Sequence, residues 1–235
     1  IGNGDLITIF SEEMGRIFSI NSGGILNLQN LNLTGGGSFA FGGGIENHGI
    51  LRMTSCSVYG NSSTDQGGGI FSDGTLIMTS CTVSGNSSKL AGGVYVSGTA
   101  TLTSCTIAGN SANLGGGVVF GGTVNLSNSI IANNFASEFP NFVPDGIFNS
   151  DGTNASNTSP SVFVTGDLVS VPIALLPLGD YGGGTRTMPP CNESLVVGMG
   201  AVSQEGETDQ RGNTRSSPTD IGATQRLASD PSCDE

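Results

Sequence analysis

Along most of the chain, apolar and polar residues alternate in short runs that glycine or asparagine interrupts. The segment from Gly92 to Leu114, GGVYVSGTATLTSCTIAGNSANL, is typical of this pattern. Alternation with a period of two predicts β-strands, because a helix requires apolar positions three and four residues apart. We therefore expect many short strands joined by tight turns.

The alternating pattern returns with a fixed step. The motifs TSCSVYGN, TSCTVSGN and TSCTIAGN place Cys56, Cys81 and Cys105 at intervals of 25 and 24 residues, and Ser129 follows after 24 more. The glycine motifs GGGIENHG, GGGIFSDG, AGGVYVSG and GGGVVFGG keep the same register. Two markers in one register predict a solenoid. A leucine-rich repeat has a similar period but needs a helical half, which is missing here, so we predict a parallel β-helix with coils of 24–25 residues.

The register assigns an inward column to the cysteines Cys56, Cys81 and Cys105. Leu31 precedes this column and Ser129 follows it, so the position does not depend on sulfur chemistry. Cysteine is a small and readily buried side chain. The sequence lacks the paired CxxC spacing with histidine partners that metal sites use, and His48 is its only histidine. We predict a packed cysteine ladder and neither a metal nor a cofactor.

A second inward column lies at a turn and consists of asparagines, namely Asn61, Asn86, Asn110 and Asn134. Stacked asparagine amides bond to one another and to the turn backbone, which satisfies buried polar groups in every coil. Asn61 and Asn86 belong to sequons, but a buried amide cannot carry a glycan. The candidate glycosylation sites are therefore the sequons that the pattern places outward or in irregular segments: Asn32, Asn125, Asn154, Asn157 and Asn192.

Two outward columns are candidates for function. One follows Glu46 and is an apolar stripe of Phe71, Tyr95 and Val119. An exposed apolar stripe indicates an interface, either with another molecule or with the chain's own C-terminal region.

The other outward column carries hydroxyl groups. It contains two rows, Thr54, Thr79, Thr103 and Ser127, and then Ser57, Thr82 and Thr106. Regular threonine rows on a flat β-face can order water, as in some ice-binding solenoids. Threonine is also an ordinary outward residue of strands.

The repeat pattern weakens after about residue 136. We predict solenoid coils over residues 1–136, an irregular loop excursion over 137–172, and a closing coil with a C-terminal tail over 173–235. The length of 235 residues and the 36% hydrophobic content suit one domain.

The charge balance excludes one class of function. The chain has 7 basic and 19 acidic residues and a net charge of −12. Nucleic-acid-binding proteins present a basic face to phosphates, so we expect no nucleic-acid partner. The sequence has no apolar run of about 18 residues and therefore predicts no membrane span. It begins with IGNGDLITIF, without methionine, which suggests a processed protein or an excerpt whose signal segment is already gone.

The repeats GGGI, TSCTVSGN and SIIANN resemble those of right-handed parallel β-helices of the pectate-lyase-like group. They are especially similar to repeats of polymorphic outer-membrane proteins and of bacterial surface proteins with a choice-of-anchor Q domain. The segments LLPLGDYGGGTRTMPP, TDQRG and TDIGA resemble, in this order, the closing segment of the choice-of-anchor Q family. The similar regions cover about residues 20–135 and 173–225, and the chain departs from the family at CNESLVVGMG. The resemblance implies a secreted, single-stranded right-handed β-helix at the cell surface and implies no catalytic residues.

The C-terminal region contains the remaining cysteines, Cys191 and Cys233. In an extracellular chain, a disulfide between them would tie the tail to the body. The same region contains Asp209, Arg211, Arg215 and Asp220. We expect these four residues to form a structural network that covers an open end of the solenoid.

Catalytic β-helices need clustered carboxylates, or acidic calcium ligands with a base, on adjacent coils. Between residues 50 and 135 the charged residues are scattered, namely Arg52, Asp65, Asp73 and Lys89. The remaining candidates for a catalytic site are Glu138, Asp145, Asp151 and Asp167.

We therefore expect a non-catalytic extracellular protein with a structural or adhesive role. Its expected partners are copies of itself, in an oligomer or filament, and surface glycans, because solenoid ends tend to pair and their faces bind. The alternatives are a carbohydrate-active enzyme or glycan-binding module, and an ice-binding protein.

Overall fold

The computed structural model describes residues 6–11, 15–158 and 163–233. The strands of the first coils are β1 (Thr8–Phe10), β2 (Phe18–Ile20), β3 (Ile25–Gln29), β4 (Asn32–Thr34), β5 (Gly37–Ser38), β6 (Ile45–Asn47) and β7 (Ile50–Thr54). Those of the middle coils are β8 (Ser57–Tyr59), β9 (Ser62–Ser63), β10 (Ile70–Ser72), β11 (Thr75–Thr79), β12 (Thr82–Ser84), β13 (Ser87–Leu90), β14 (Val94–Val96) and β15 (Thr99–Thr103). Those of the last coils are β16 (Thr106–Ala108), β17 (Ser111–Leu114), β18 (Val118–Phe120), β19 (Thr123–Ser127), β20 (Ile130–Ala132), β21 (Phe142–Pro144), β22 (Ile147–Ser150), β23 (Ala155–Ser156) and β24 (Leu168–Val169). A short 3₁₀ helix spans Val202–Gln204.

The strands form four parallel sheets along the solenoid. Sheet A has the order β1-β4-β8-β12-β16-β20-β23-β24, and sheet B has the order β2-β6-β10-β14-β18-β21. Sheet C has the order β22-β19-β15-β11-β7-β3, and sheet D has the order β17-β13-β9-β5. Each strand pairs with its equivalent one coil away, as in the register of Thr79 with Thr54 and Thr103. The prediction of an all-β parallel solenoid is confirmed, with about six turns.

The repeated motifs match the corners of the coil. The serine of each TSC motif turns the chain from sheet C to sheet A with positive φ, at 51° for Ser55, 49° for Ser80 and 51° for Ser104. Asn30 and Asn128 occupy the same corner in the flanking coils, with φ of 54° and 48°. This left-handed conformation is uncommon outside glycine, and asparagine adopts it more readily than most residues. The polar corner is therefore a repeated turn rather than an isolated strained position.

The triple-glycine motif has a separate cause, which is close approach between coils. A Cβ atom on Gly68 would lie 2.3 Å from the carbonyl oxygen of Ser87 in the next coil. A Cβ on Gly92 would lie 2.3 Å from the carbonyl oxygen of Ser111. Both distances are far below van der Waals contact, so only glycine fits where these backbones meet.

The cysteine ladder is confirmed. The side chains of Cys56, Cys81 and Cys105 are buried, and the Cys56 N–H donates to the Cys81 sulfur at 3.4 Å. Burial raises the pKa of the Cys105 thiol to about 12. The column continues through Ser129, whose oxygen accepts from the Cys105 N–H at 2.9 Å, to Asn154, which accepts from the Ser129 N–H at 2.9 Å.

The extension of this column corrects one predicted glycosylation site. Asn154 is fully buried, and its amide donates to the carbonyl oxygen of Leu126 at 3.1 Å. The prediction that Asn154 is exposed is wrong because the residue lies 25 positions after Ser129 and takes the next inward place.

The asparagine ladder is also confirmed. Each side-chain amide donates to the side-chain oxygen of the next coil at 2.9 Å, from Asn61 to Asn86, Asn110 and Asn134 in turn. The same oxygens accept from the backbone N–H of the preceding asparagine. The ladder ends on Asn141, whose oxygen accepts from the Asn134 amide at 3.1 Å. Each amide thus satisfies buried groups of two coils.

The predicted loop excursion over residues 137–172 is wrong. Strands β21 to β24 lie in this segment and continue sheets A, B and C. Aromatic residues replace the smaller core residues of earlier coils here, which masks the repeat. The ring of Phe163 packs 5.2 Å from that of Phe142 and 5.4 Å from that of Phe148, over the last coil of the core.

The segment 173–233 does not form the predicted closing coil. Its described residues are irregular apart from isolated bridges and the 3₁₀ helix, and they cover the outer face of sheet A. A second apolar cluster anchors them and consists of Ile130, Ala132, Ala155, Ile173, Val196 and Ile221. The disulfide between Cys191 and Cys233 is present, as predicted, and both cysteines belong to this tail. The described residues contain no helix long and apolar enough to cross a bilayer.

Candidate functional site

The tail crosses the solenoid at the corner between sheets C and A. There, the hydroxyl of Ser104 donates to the side-chain oxygen of Gln204 at 2.8 Å, and Asn128 accepts from the Ala201 N–H at 2.9 Å. These contacts seat the tail on the later corners. The first two corners, Asn30 and Ser55, remain at least partly accessible.

A groove runs between the tail and these corners. Its larger part has a volume of about 520 Å³ and is lined by Ile7, Gln29, Asn30, Thr54, Ser55, Gly183, Gly184, Thr208, Asp209, Gln210, Arg211 and Gly212. Its smaller part has a volume of about 300 Å³ and is lined by Thr54, Ser55, Thr79, Ser80, Thr103, Ser203, Gln204, Glu207 and Thr208. The two parts share Thr54, Ser55 and Thr208. They therefore form one groove along the solenoid axis, across the strands.

The groove continues as a shallower surface on sheet C. A third depression of about 240 Å³ is lined by Thr101, Thr103, Asn125, Leu126, Ser127, Asn149, Ser150 and Asp151. It shares Thr103 with the groove. An amide and four hydroxyl groups thus follow one column from Gln29 to Ser127, one position per coil, and the carboxylate of Asp151 follows in the next coil.

Asp209 and Arg211 in the groove wall are structural. Asp209 is fully buried and accepts from the N–H groups of Arg211 and Asn213 at 2.9 and 2.8 Å. Arg211 donates to Asp230 at 2.6 Å and to Asp209 at 3.4 Å. Among the residues that line the two-part groove, Glu207 is therefore the carboxylate that is exposed.

The predicted tail network is therefore present, with one member that the sequence did not indicate. Asp230 completes the pair with Arg211. Arg215 is 1% exposed and donates to the carbonyl oxygens of Asp220 and Gly222 at 3.2 and 2.7 Å. Burial lowers the pKa of Arg215 and raises that of Asp220. This network folds the tail along sheet A and does not cap a coil end.

The apolar stripe is mostly covered, so its prediction as an exposed interface is wrong. Phe71 is 6% exposed and Val119 is 5% exposed. The ring of Phe71 stacks between Phe41 at 4.8 Å and Tyr95 at 5.4 Å. A neighbouring loop of the coils supplies this cover at Phe71, rather than the C-terminal region that the sequence suggested. Tyr95 is half-buried.

The second hydroxyl row is covered by the tail. Ser57, Thr82 and Thr106 point outward from sheet A, yet each is at most 1% exposed. Thr82 donates to the side-chain oxygen of Gln210 at 2.6 Å, and Thr106 accepts from the Ala223 N–H at 3.0 Å. This row is therefore not exposed to solvent. The ice-binding alternative had depended on a face that exposes both rows.

The same cover corrects a second glycosylation site. Asn32 lies in the row of Ser57 and is fully buried, and it accepts from the Arg186 N–H at 2.9 Å. Asn32 is thus a wrong candidate. Asn125 is half-buried on sheet C, whereas Asn157 and Asn192 are exposed. Glycosylation of these three residues stays a prediction.

The four acidic residues of the last coil do not all meet at one place, although Asp151 and Asp167 share Asn154 as a hydrogen-bond partner. Glu138 continues sheet D beside Leu114, and Asp145 follows β21 in sheet B. Asp167 accepts from Ser150 at 2.6 Å and from the Asn154 N–H at 2.9 Å, so it closes a turn. Asp151 lies on sheet C and accepts from the Thr153 hydroxyl at 2.6 Å.

A charged cluster that the sequence did not indicate lies beside Phe71. Asp73 accepts a hydrogen bond from His48 at 2.8 Å, and Glu46 lies 3.4 Å from the other ring nitrogen. Arg16 pairs with Glu46 at 2.7 Å. The hydrogen bond to Asp73, with smaller contributions from Glu46, raises the pKa of His48. The cluster joins residues from three coils. These residues do not recur as one motif along the chain, so the sequence pattern does not reveal the cluster.

The last coil limits one route to self-association. Sheet B ends at β21, which contains Pro144, a residue without an N–H for a further strand. Phe163 covers the core at the same end. Head-to-tail pairing through the coil ends stays a prediction.

No protein-family model, curated protein or solved structure matches this chain. The resemblance to the choice-of-anchor Q family and to polymorphic outer-membrane repeats thus stays an expectation without support from these comparisons.

Proposed function

We propose that this protein is a non-catalytic, extracellular adhesive solenoid that binds a surface glycan in the groove between its tail and its coils. The observation that carries the proposal is the two-part groove, whose adjoining parts of about 520 and 300 Å³ share Thr54, Ser55 and Thr208. Binding sites are typically concave and largely preformed, with a few polar groups that orient the ligand.

The chemistry of the groove suits a polyhydroxylated ligand. Hydroxyl and amide side chains, among them Gln29, Asn30 and Gln204, donate and accept hydrogen bonds to neutral polar groups. The glycines Gly183, Gly184 and Gly212 bring backbone groups to the wall. A sugar chain presents matching hydroxyls along its whole length.

The distribution of carboxylates favours binding over cleavage. Glycoside hydrolysis uses two carboxyl groups on either side of the scissile bond, about 5–10 Å apart. The carboxylate of Asp209 accepts four hydrogen bonds within the tail. Among the residues that line the groove, Glu207 is therefore the one carboxylate available to a ligand. The enzyme alternative therefore has less geometric support than the adhesive role.

The extracellular part of the proposal rests on covalent chemistry. Cys191 and Cys233 form a disulfide, and disulfides persist mainly in oxidising compartments. The other three cysteines are buried in the core and so are protected there.

The test is glycan binding by the whole chain and by a variant that fills the groove. Thr54 lies where the two parts of the groove meet, so Thr54→Trp is expected to abolish binding on a polysaccharide array. Thr99→Trp is the matched control, because Thr99 is also an exposed threonine of sheet C but does not line the groove. Equal binding by wild type and Thr54→Trp would place any glycan elsewhere and refute the proposal.

Release of reducing or unsaturated ends from bound polysaccharides distinguishes the enzyme alternative. We expect no release by the wild type. Turnover that disappears in Glu207→Gln would replace the adhesive proposal by a hydrolase or lyase.

A further inference from the structure

We infer that the groove binds an extended, non-acidic glycan that lies along the solenoid axis, with amino sugars favoured over neutral sugars and uronates rejected. This inference rests on the proposed function and names the ligand class. It depends on two features of the groove: the repeat of its floor and the sign of its charges.

The floor repeats once per coil. The side chains of Gln29, Thr54, Thr79, Thr103 and Ser127 are register partners in adjacent strands of sheet C. Asp151 directly follows Ser150, the last residue of the next strand, β22, and accepts a hydrogen bond from the Ser127 hydroxyl. Five steps of about 4.8 Å give a polar track of about 24 Å.

A repeat of this kind selects the shape of a ligand. One sugar of an extended β-1,4-linked chain advances by nearly one strand spacing, so each sugar can meet one hydroxyl of the track, and every second sugar turns the same face towards it. A helically coiled glycan leaves that line after a few sugars. The tail residues Gln204 and Thr208 form the opposite wall and hold the ligand to the track.

The exposed charges among the residues that line the track are acidic, and Arg52, two positions before Thr54 on the same strand, is the neighbouring cation that does not line it. Glu207 is exposed on the tail side, and Asp151 is exposed at the far end. The buried cation of the wall, Arg211, is paired with two carboxylates, Asp209 and Asp230, and the buried Arg215 also interacts with Asp209, so this group offers no free cation to the groove. The whole chain carries a net charge of −12. A uronate chain is therefore repelled, whereas an ammonium group near Glu207 is attracted.

The experiment is calorimetric titration of the full chain, at a mildly acidic pH that keeps the glucosamine amines protonated, with three β-1,4-linked hexamers that differ in charge: glucosamine, glucose and mannuronate. We expect the glucosamine hexamer to bind most tightly, the glucose hexamer less tightly, and the mannuronate hexamer not at all. Added salt should weaken only the glucosamine complex, because it screens exposed charges.

Paired variants locate the effect. Glu207→Gln should lower affinity for the glucosamine hexamer about three- to fivefold and leave the glucose hexamer unchanged, as expected for one exposed ion pair. Glu205→Gln is the control, because Glu205 is exposed two residues away and does not line the groove. Equal losses in both variants would overturn the assignment to Glu207.

The outcomes separate this inference from the proposed function. If all three hexamers bind with equal affinity, the groove binds glycans but selection by charge is refuted. If mannuronate binds most tightly, glycan binding stands and the inferred ligand class is wrong. If none of the three hexamers binds, the inferred ligand class is also wrong, and the array then decides the proposed function.

Discussion

The coils and the tail are stabilised in different ways. In the coils the same contact recurs at each step, as in the amide bonds of 2.9 Å from Asn61 to Asn86 and from Asn86 to Asn110. In the tail each contact occurs once, and charged groups such as Arg211 and Asp230 are buried. The coils are therefore a periodic stack of neighbours, whereas the tail depends on a few individual polar pairs.

The surface between the two regions changes along the solenoid. The outward row of sheet A is polar under the tail at Ser57, Thr82 and Thr106, and becomes apolar at Ile130 and Ala155. The tail is thus anchored by apolar packing beside the last coils and by hydrogen bonds over the middle coils. Loss of the polar contacts would leave a hydroxyl-lined face, which water can solvate.

The largest predicted effect is release of the tail by Arg211→Ala. The change leaves the carboxylates of Asp209 and Asp230 buried without their cation, at a cost of about 3–5 kcal/mol. Because the coils do not depend on this pair, proteases should cut the tail while the far-ultraviolet β-signal of the coils is retained. Limited proteolysis and circular dichroism on the same samples measure both.

Arg52→Ala is the control for this prediction, because Arg52 is an exposed arginine on sheet C. It should leave proteolysis and thermal unfolding unchanged. A single transition in Arg211→Ala, in which coils and tail unfold together at lower temperature, would refute the separation of the two regions.

The next effect concerns the coils, through Asn110→Ala. The variant removes the acceptor of the Asn86 amide and backbone N–H, and the donor to the Val83 carbonyl at 3.0 Å. Unsatisfied buried groups should lower the free energy of unfolding by about 2–4 kcal/mol. Asn113→Ala is the matched control, since Asn113 is exposed in the same coil. Equal denaturant midpoints for the two variants would mean that the ladder contributes no stability.

The contrast also explains how much of the molecule could be predicted from its sequence. Inward columns such as Cys56, Cys81 and Cys105 are visible because a contact between coils is also a repeat along the chain. The cover over Asn32 and Thr82 is invisible, because residues 184–210 that supply it lie more than 120 positions away and have no period. The groove was missed for the same reason, since its second wall is the tail.

The last coil was missed for another reason. Phe142 and Phe148 occupy inward positions that Val118 and Val124 hold in the preceding coil, and the turn motifs disappear there. Asn154 kept the step of 25 residues from Ser129, which is a signal that could have located the coil.

A smaller effect is expected inside the cysteine column. Ser129 already occupies this column and donates to the Ser127 carbonyl at 2.8 Å, and Cys81 makes the equivalent contact with Thr79 at 3.2 Å. Cys81→Ser should therefore change the free energy of unfolding by less than about 1.5 kcal/mol. Cys81→Phe should cost more, about 1–3 kcal/mol, because it overfills a packed site. A severe loss in Cys81→Ser alone would indicate a chemical role for the thiol.

The smallest effect is a pH dependence that sets the two regions apart once more. The pKa of His48 is raised chiefly by its hydrogen bond to Asp73, so the protonated ring stabilises the fold. That contribution is complete below the unfolded pKa of about 6.5 and is lost as the pH rises through the higher folded value. The free energies of unfolding of the wild type and His48→Gln, measured from the circular dichroism of the coils, should therefore differ more at about pH 5.5 than at about pH 8.5. Because Asp73→Asn removes the main cause of the shift, it should shrink the same pH-dependent difference, while proteolysis of the tail stays unchanged in both variants. A difference in stability between wild type and His48→Gln that is constant with pH, or that grows as the pH rises, would show that protonated His48 does not stabilise the coils.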